Sequence, residues 1–340
     1  MDGIRVGLLG YGAIGHEHNR AVRETDGLVL TAVCDQDPAR IDAARLLAPD
    51  ARGFADATAM LDSGEVDLVV VSTPPNSHHR WALEGLRRDL HVVLEKPMAL
   101  TARECDEVMS LADDRGRTVV VYQNRRFDAD FVALRAALQA GAIGDVFDLE
   151  TFVGGFGRPC DFWHSDASVS GGAIFDWGSH FLDQILAVVP TSVAYVTGVN
   201  HKRRWHHATN ADHAVATIAF DDGTRASFTH SDLAAARKPK YYVLGTSGAI
   251  VGDWDARAEP AVADLPAVLT LHGESGAVTD LDVVTPAPFA FHRQLAAWLR
   301  DGEPMEVTAA QSRDVVAIME ACEESARNDG RPVTPRLLLR

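Results

Sequence analysis

The sequence lacks closely spaced cysteines. Cys34, Cys105, Cys160 and Cys322 lie far apart and form no C-x-x-C, so neither a zinc knot nor a disulfide framework is indicated. Positive charge is scarce as well. Lys and Arg number 32 against 48 Asp and Glu, a formal net charge of −16. Duplex binding rests on phosphate neutralisation, so a chain this acidic, with no long basic run, is not expected to bind nucleic acid. The same balance argues against an anionic membrane surface. No apolar run approaches the roughly 20 residues of a membrane-spanning helix. The opening MDGIRVGLLG enters an apolar strand at once, without the basic start and the apolar core of roughly 7–15 residues of a secretory signal. A cytoplasmic location is expected. Internal repeats and low-complexity tracts are missing too.

Apolar residues are plentiful. They make up 46% of 340 residues, ample for the cores of two domains. In the first third, apolar strands alternate with helices. IRVGLL (4–9), LVLTAVCD (28–35), VDLVVVST (66–73), HVVLEK (91–96) and TVVVYQ (118–123) read as strands. Helices are expected at 14–24, from Pro38, from about Asn76 and from Thr101, where Thr101 and Glu104 match a capping box. Continuous apolar strands alternating with helices predict a doubly wound parallel sheet covered on both faces. Beyond residue 125 the rhythm changes. A helix at 127–140 leads to strand-like runs SVAYVTGV, HAVATIAF, TRASFTHSDL, KYYVLGTSGAIVGDW and AVLTLHG, with FDDGT as a hairpin turn. Two helices, 289–301 and 309–328, close the chain. The expected division is residues 1–124, a parallel α/β domain, and 125–340, an α/β domain with a largely antiparallel sheet. The closing helices could pack back on the first domain.

GYGAIG sets Gly10, Gly12 and Gly15 between the first strand and the first helix, the context a dinucleotide fingerprint requires. Gly10 allows the tight turn, Gly12 lets backbone N–H groups approach a pyrophosphate, and Gly15 lets the helix sit close to the strand. Tyr11, Ala13 and Ile14 complete the turn and are expected to contact the cofactor. Asp35 ends the second strand, 20 residues beyond Gly15, where a carboxylate would bind an adenosine ribose diol and repel a 2′-phosphate. No Arg or Lys directly follows it, and Arg40 lies on the next helix. NAD is therefore expected rather than NADP. STPPNSHH (72–79) and EKP (95–97) follow later strands. Ligands of a parallel sheet lie across the carboxyl ends of its strands, so Ser72, Thr73, Pro74, Asn76, His79, Glu95 and Lys96 are candidate cofactor contacts. Taken alone, Lys96 reads as a lysine paired with Glu95 or reaching for solvent.

GGAIFDWGSHFLDQ (171–184) reads as a helix. At roughly 100° per residue, His180 and Asp183 fall within about 40° of Asp176, and Trp177, Phe181, Leu182 and Ile185 fill the opposite arc. That narrow acid–base face suits solvent, a metal or catalysis. A metal is not expected, because no further His or Cys cluster accompanies it. GFGRPCDFWHSD (155–166) just precedes the helix and offers Arg158 and Trp163 as candidate substrate contacts, or is an ordinary ordered loop. HKRRWHH (201–207) could meet a phosphate or an acidic substrate; a solvated connection is the plainer reading.

In order along the chain, the glycine turn at 10–15, STPPNSHH, EKPMAL, QNRRFD and GGAIFDWGSHFLD resemble the Gfo/Idh/MocA family, named for glucose–fructose oxidoreductase, inositol dehydrogenase and a rhizopine-catabolism protein. The resemblance spans nearly the whole chain, closing helices included. It implies a Rossmann domain and a second α/β domain whose open sheet often makes oligomer contacts, hence a homo-oligomer. Lys96 is similar to the catalytic lysine of the family's E-K-P motif, whose Lys–Pro bond is often cis. Asp176 and His180 resemble the Asp and His of its D-x-x-x-H helix. His180 would then be the general base or acid and Asp176 its polar companion. Asn124 precedes RRFD, which in relatives lies near nicotinamide and substrate, so Asn124 is a candidate contact of both. Asp183 is left a structural role.

The resulting expectation is an NAD-dependent oxidoreductase. It would transfer hydride between nicotinamide and a secondary alcohol of a sugar, cyclitol or related polyol, or reduce the matching ketone. The chemistry is coherent: His can take and return a proton near neutral pH, and a Lys cation steadies charge developing on oxygen. Two alternatives stay open. One is a redox-neutral sugar enzyme that retains NAD and oxidises transiently. The other is a non-enzymatic NAD-binding regulator, against which the joint presence of Lys96, Asp176 and His180 speaks.

Overall fold

Short runs of valine and leucine make the first sheet. The structure, a computed structural model, describes residues 3–257 and 265–338. Its first eleven elements are β1 (Ile4–Leu9), α1 (Ala13–Arg23), β2 (Leu28–Cys34), α2 (Pro38–Leu47), β3 (Arg52–Phe54), α3 (Ala57–Leu61), β4 (Leu68–Val71), α4 (His78–Leu86), β5 (His91–Leu94), α5 (Ala102–Arg115) and β6 (Val119–Val121). The six strands pair in parallel in the order β3-β2-β1-β4-β5-β6. Every residue of β4 and β6 is buried, as a sheet covered on both faces demands. The order reverses between β1 and β4, so their carboxyl ends form the crevice where ligands of such sheets bind. Thr101 caps α5 with the full capping box to Glu104. β3 and α3 were not legible in the sequence. β3 is a three-residue edge strand with only Phe54 buried, too short to show a period.

The second sheet alternates instead. Its elements are α6 (Ala129–Gln139), β7 (Val146–Gly154), α7 (Ala167–Ser170), α8 (Ala173–Val188), β8 (Val193–His201), β9 (His213–Phe220), β10 (Arg225–Ser231), β11 (Tyr241–Gly245), β12 (Gly248–Asp253), β13 (Val268–Gly273) and β14 (Val278–Asp280). The strand order is β14-β13-β12-β11-β7-β10-β9-β8. Only the β7–β10 pair is parallel. FDDGT makes the β9–β10 turn, and the run 240–254 is a hairpin, with Gly245 opposite Gly248. Buried residues alternate along much of β9 and β10, because one face is covered. α8 helps cover it: Phe181 stacks on Phe228 of β10 with ring centroids 5.3 Å apart. Gly178 permits the approach, since a Cβ there would lie 3.3 Å from the Phe228 ring.

Helices α9 (Ala290–Asp301) and α10 (Ala309–Arg327) end the fold. The chain divides into two units, Met1–Gln123 with Ala287–Arg313, and Asn124–Pro286 with Asp314–Arg340. The residues expected in the second domain, 125–340, are thus shared between the two units, and α9, one of the closing helices, belongs to the first. Its buried face includes Phe291, His292 and Leu295, and Phe291 meets the Tyr122 ring edge-on at 4.9 Å. Among the described residues, no helix is long and apolar enough to cross a membrane.

Candidate active site

The glycine turn is built tightly at one residue and left open at another. Gly10 has φ of +94°, and a Cβ there would lie 2.6 Å from the Ser72 carbonyl oxygen. The Ser72 hydroxyl donates to the Gly10 carbonyl at 2.7 Å. The β1–α1 turn therefore lies against the start of STPP with no room for a side chain. At Gly12 a Cβ would meet nothing within 4 Å. Gly12 is also the N-cap of α1 and supplies no side-chain acceptor. A helix start with bare N–H groups and free space beside it accepts a phosphate group, so Gly10–Ile14 fit a dinucleotide. Tyr11 offers its backbone only. Its ring is 1% exposed, and its hydroxyl accepts from Asn19 at 2.8 Å.

Asp35 is organised by the same turn. Its carboxylate accepts the Tyr11 N–H at 2.8 Å and the Asp37 N–H at 2.9 Å. Arg40, which the sequence places on the next helix, stands 3.5 Å from the Asp35 Oδ2. Its guanidinium is one turn into α2, where the helix brings it back over Asp35.

The STPP and EKP segments are joined by a histidine that the sequence pattern did not single out. His78 is wholly buried. Its Nδ1 lies 2.7 Å from the Pro97 carbonyl oxygen and its Nε2 lies 2.8 Å from that of Thr73. Burial pushes its pKa below the ordinary value, against the pull of those two carbonyls. The Lys96–Pro97 bond is cis. His79, the expected contact, turns instead to Glu107 on α5 at 2.9 Å, and Asn76 is exposed. An H-H dipeptide carries no sign of which ring faces inward; that depends on where α5 and the EKP segment lie. Glu95 accepts the Lys96 N–H at 3.2 Å, and its other oxygen lies 2.9 Å from His18 Nε2.

In the second unit, α8 carries Asp176, half-buried, and His180, 6% exposed. The Trp177 and His180 rings are 5.7 Å apart. The helical wheel groups Asp183 with them, but the structure pairs it elsewhere. Arg126 donates to both its oxygens, at 2.6 and 2.8 Å, and both residues are buried. Gln184 donates to the Arg125 carbonyl at 2.9 Å, and the Arg125 guanidinium lies 5.3 Å over Trp177. These contacts fasten the short 3₁₀ turn Asn124–Phe127 to α8. The arc opposite the apolar face is therefore mostly interior, and only Asp176 of the three acid–base residues is not buried. Among the described residues, no group of three or more His, Cys, Asp or Glu could hold a metal ion.

The remaining candidates are looser. Arg158 is exposed and donates to both oxygens of Asp161, each at 2.7 Å. Trp163 opens a 3₁₀ turn and stacks on His164 at 3.5 Å. The basic stretch 201–207 wraps a buried carboxylate. Asp212 accepts N–H groups from Arg203 and Arg204 at 2.6 Å and from Trp205 at 3.3 Å, and the Lys202 ammonium at 2.8 Å. Burial alone would raise the Asp212 pKa; Lys202 and the three amides together hold it far below the carboxylate range.

Comparison with known proteins agrees with this architecture. Residues 4–123 match the oxidoreductase family with NAD-binding Rossmann fold, and residues 131–251 match the GFO/IDH/MocA C-terminal domain. The chain is 26% identical to scyllo-inositol 2-dehydrogenase (NADP(+)) IolW of Bacillus subtilis, over 96% of this chain and 95% of that protein. It is 30% identical to the uncharacterized oxidoreductase YdgJ of Escherichia coli, over 74% and 71% of the two chains. An NAD-binding protein from Listeria innocua, 27% identical, superposes with a TM-score of 0.84 over 98% of this chain and 97% of that one. With both domains matched and a relative 30% identical over more than two thirds of each chain, this protein belongs to the Gfo/Idh/MocA family of oxidoreductases.

Proposed function

We propose that this oxidoreductase is an NAD-dependent dehydrogenase of a sugar, cyclitol or related polyol, or a reductase of the matching ketone. The observation that carries the reading is His180, a histidine 6% exposed and one helical turn from Asp176. The substrate class draws support from IolW, whose name specifies scyllo-inositol. When bound, the nicotinamide supplies the hydride acceptor or donor. The amides of Gly12–Ile14, at the open start of α1, bind the pyrophosphate and Asp35 the adenosine ribose diol. Ser72, Thr73, Pro74 and Asn124 complete the cofactor contacts. His180 takes the alcohol proton in oxidation and returns it in reduction. Lys96 steadies negative charge on the substrate oxygen, and Asp176 orients the imidazole.

A second reading, NADP, is favoured by Arg40, which stands 3.5 Å from Asp35 with its side chain 54% exposed, and by the NADP in the name of IolW. Titration with both cofactors separates the two. NAD should bind more tightly, and Asp35→Ala should narrow the gap. Tighter NADP binding that Arg40→Ala abolishes would reverse the assignment. For the reaction, the assay is NADH formation against inositols and sugars. Lys96→Ala and His180→Ala should each slow the hydride step about a hundredfold or more. Oxidation should rise with pH through one ionisation that His180→Ala removes. Wild-type rates in folded variants would sink the proposal, and turnover without stoichiometric NADH would point to a retained cofactor.

A further inference from the structure

Behind the E-K-P segment lies a chain of three buried groups. His18 of α1, Glu95 beyond β5 and His292 of α9 are 0%, 7% and 1% exposed. His18 Nε2 is 2.9 Å from Glu95 Oε1, and His18 Nδ1 is 2.9 Å from His292 Nε2. Tyr122 packs on both imidazoles, with ring centroids 4.6 Å from His18 and 5.2 Å from His292. The other nitrogen of His292, Nδ1, has no hydrogen-bond partner among the described residues.

Counting hydrogens leaves one best arrangement. Taken as the carboxylate, Glu95 accepts the Lys96 N–H at Oε2 and accepts again at Oε1, which faces His18. His18 must then donate from Nε2. The two facing ring nitrogens, His18 Nδ1 and His292 Nε2, can share only one hydrogen. If His18 held it, both His18 nitrogens would be protonated, and the N–H of His292 would sit at Nδ1 with no acceptor. A buried N–H without an acceptor is rarer than a buried lone pair without a donor. If His292 holds it, His292 Nε2–H donates to His18, His18 Nε2–H donates to Glu95, and Glu95 accepts the backbone of Lys96. Burial also holds the His292 pKa well below its ordinary value, in keeping with a neutral ring.

We propose that His292 and His18 are positioning residues for Lys96: His292 fixes the tautomer of His18, and His18 fixes the Glu95 carboxylate that holds the Lys96 backbone. The inference rests on the reading of Lys96 as the charge-stabilising group. It gives α9 a part in the chemistry although no residue of α9 is assigned to touch the substrate. A misplacement of Lys96 should slow the reaction far more than it weakens NAD binding, because the open start of α1 and Asp35, assigned to the pyrophosphate and the ribose, are not among the three side chains.

Two measurements test it. Long-range ¹H–¹⁵N spectra of the histidine-labelled enzyme with NAD bound should show His18 and His292 as neutral Nε2–H tautomers. A neutral Nδ1–H His18, or a His18 imidazolium at neutral pH, would overturn the chain, and this readout needs no variant and no substrate. His292→Phe should lower kcat by between about tenfold and a hundredfold with NAD affinity within a factor of about two. His292→Gln, whose amide can donate where Nε2–H did, should recover most of the loss. His292→Phe at the wild-type kcat, or His292→Gln no better than His292→Phe, would refute the positioning role. In a Lys96→Ala background His292→Phe should cost nothing more. If Lys96→Ala alone turns over normally, the reading of Lys96 falls while the tautomers stand; if Lys96→Ala is slow and His292→Phe adds to it, the positioning role falls instead.

Discussion

Asp183→Asn removes the charge from one partner of a buried pair and leaves the shape almost unchanged. Arg126 donates to Asp183 through two hydrogen bonds of 2.6 and 2.8 Å, with the two residues 3% and 1% exposed. An amide offers the guanidinium one oxygen and turns an N–H group towards it. The buried guanidinium then loses the charge of Asp183, which costs about 3–5 kcal/mol. For a unit the size of the second one, that corresponds to a fall in Tm of about 6–20 °C. The loss should also loosen the 3₁₀ turn Asn124–Phe127, which Arg126 ties to α8, and so reduce turnover beyond any effect on NAD affinity. Differential scanning calorimetry of both proteins reads the first effect. A control separates charge from packing: the double change Arg126→Met with Asp183→Leu should melt well above Asp183→Asn, because exchanging both partners for apolar groups leaves no buried charge. A melting temperature for Asp183→Asn within about 2 °C of wild type would show that the pair does not anchor the turn to α8.

Gly10→Ala and Gly12→Ala should behave differently. The first forces a side chain into φ of +94° and to within 2.6 Å of a carbonyl oxygen, and should destabilise by about 1–3 kcal/mol or more. The second meets open space at φ of −82° and should melt like wild type while weakening NAD binding; calorimetric titration and melting curves that fail to separate them would contradict the site. Stability should fall on mild acidification. Folding holds the pKa values of His292 and His78 below their ordinary range, so the unfolded chain binds extra protons below about pH 6.5. The stability is complete above that pH and is lost as the pH falls, by up to about 1.4 kcal/mol per unit for each ring. His292→Phe should flatten the curve of unfolding free energy against pH, and parallel curves would refute the assignment. Asp212→Asn should release the 201–207 stretch, seen as faster hydrogen exchange at the Arg203, Arg204 and Trp205 amides; unchanged protection would mean the loop holds by other contacts.

By itself the sequence determined what depends on near neighbours along the chain. Unbroken valine and leucine runs required a sheet covered on both faces, because nothing polar alternates in β4, β5 or β6. Thr101 and Glu104 capped α5 through groups three residues apart. The glycine turn and Asp35 were legible because a φ above zero and a strand-end carboxylate are local demands. The tertiary structure decided the rest. Asp183 reads as a structural acid on the face of His180, but its partner, Arg126, 57 positions away, carried no signal. Arg40 reads as remote from Asp35, and the first turns of α2 bring it back. His79 reads as the contact, whereas His78 is the ring that α4 turns towards Thr73 and Pro97. His292 carried no signal at all, since its partner His18 is 274 residues distant. Periodicity, caps and turn residues act over a few bonds and leave their mark in the sequence. Which ring faces inward, and which charge finds its partner, depends on segments that meet only when the chain has packed.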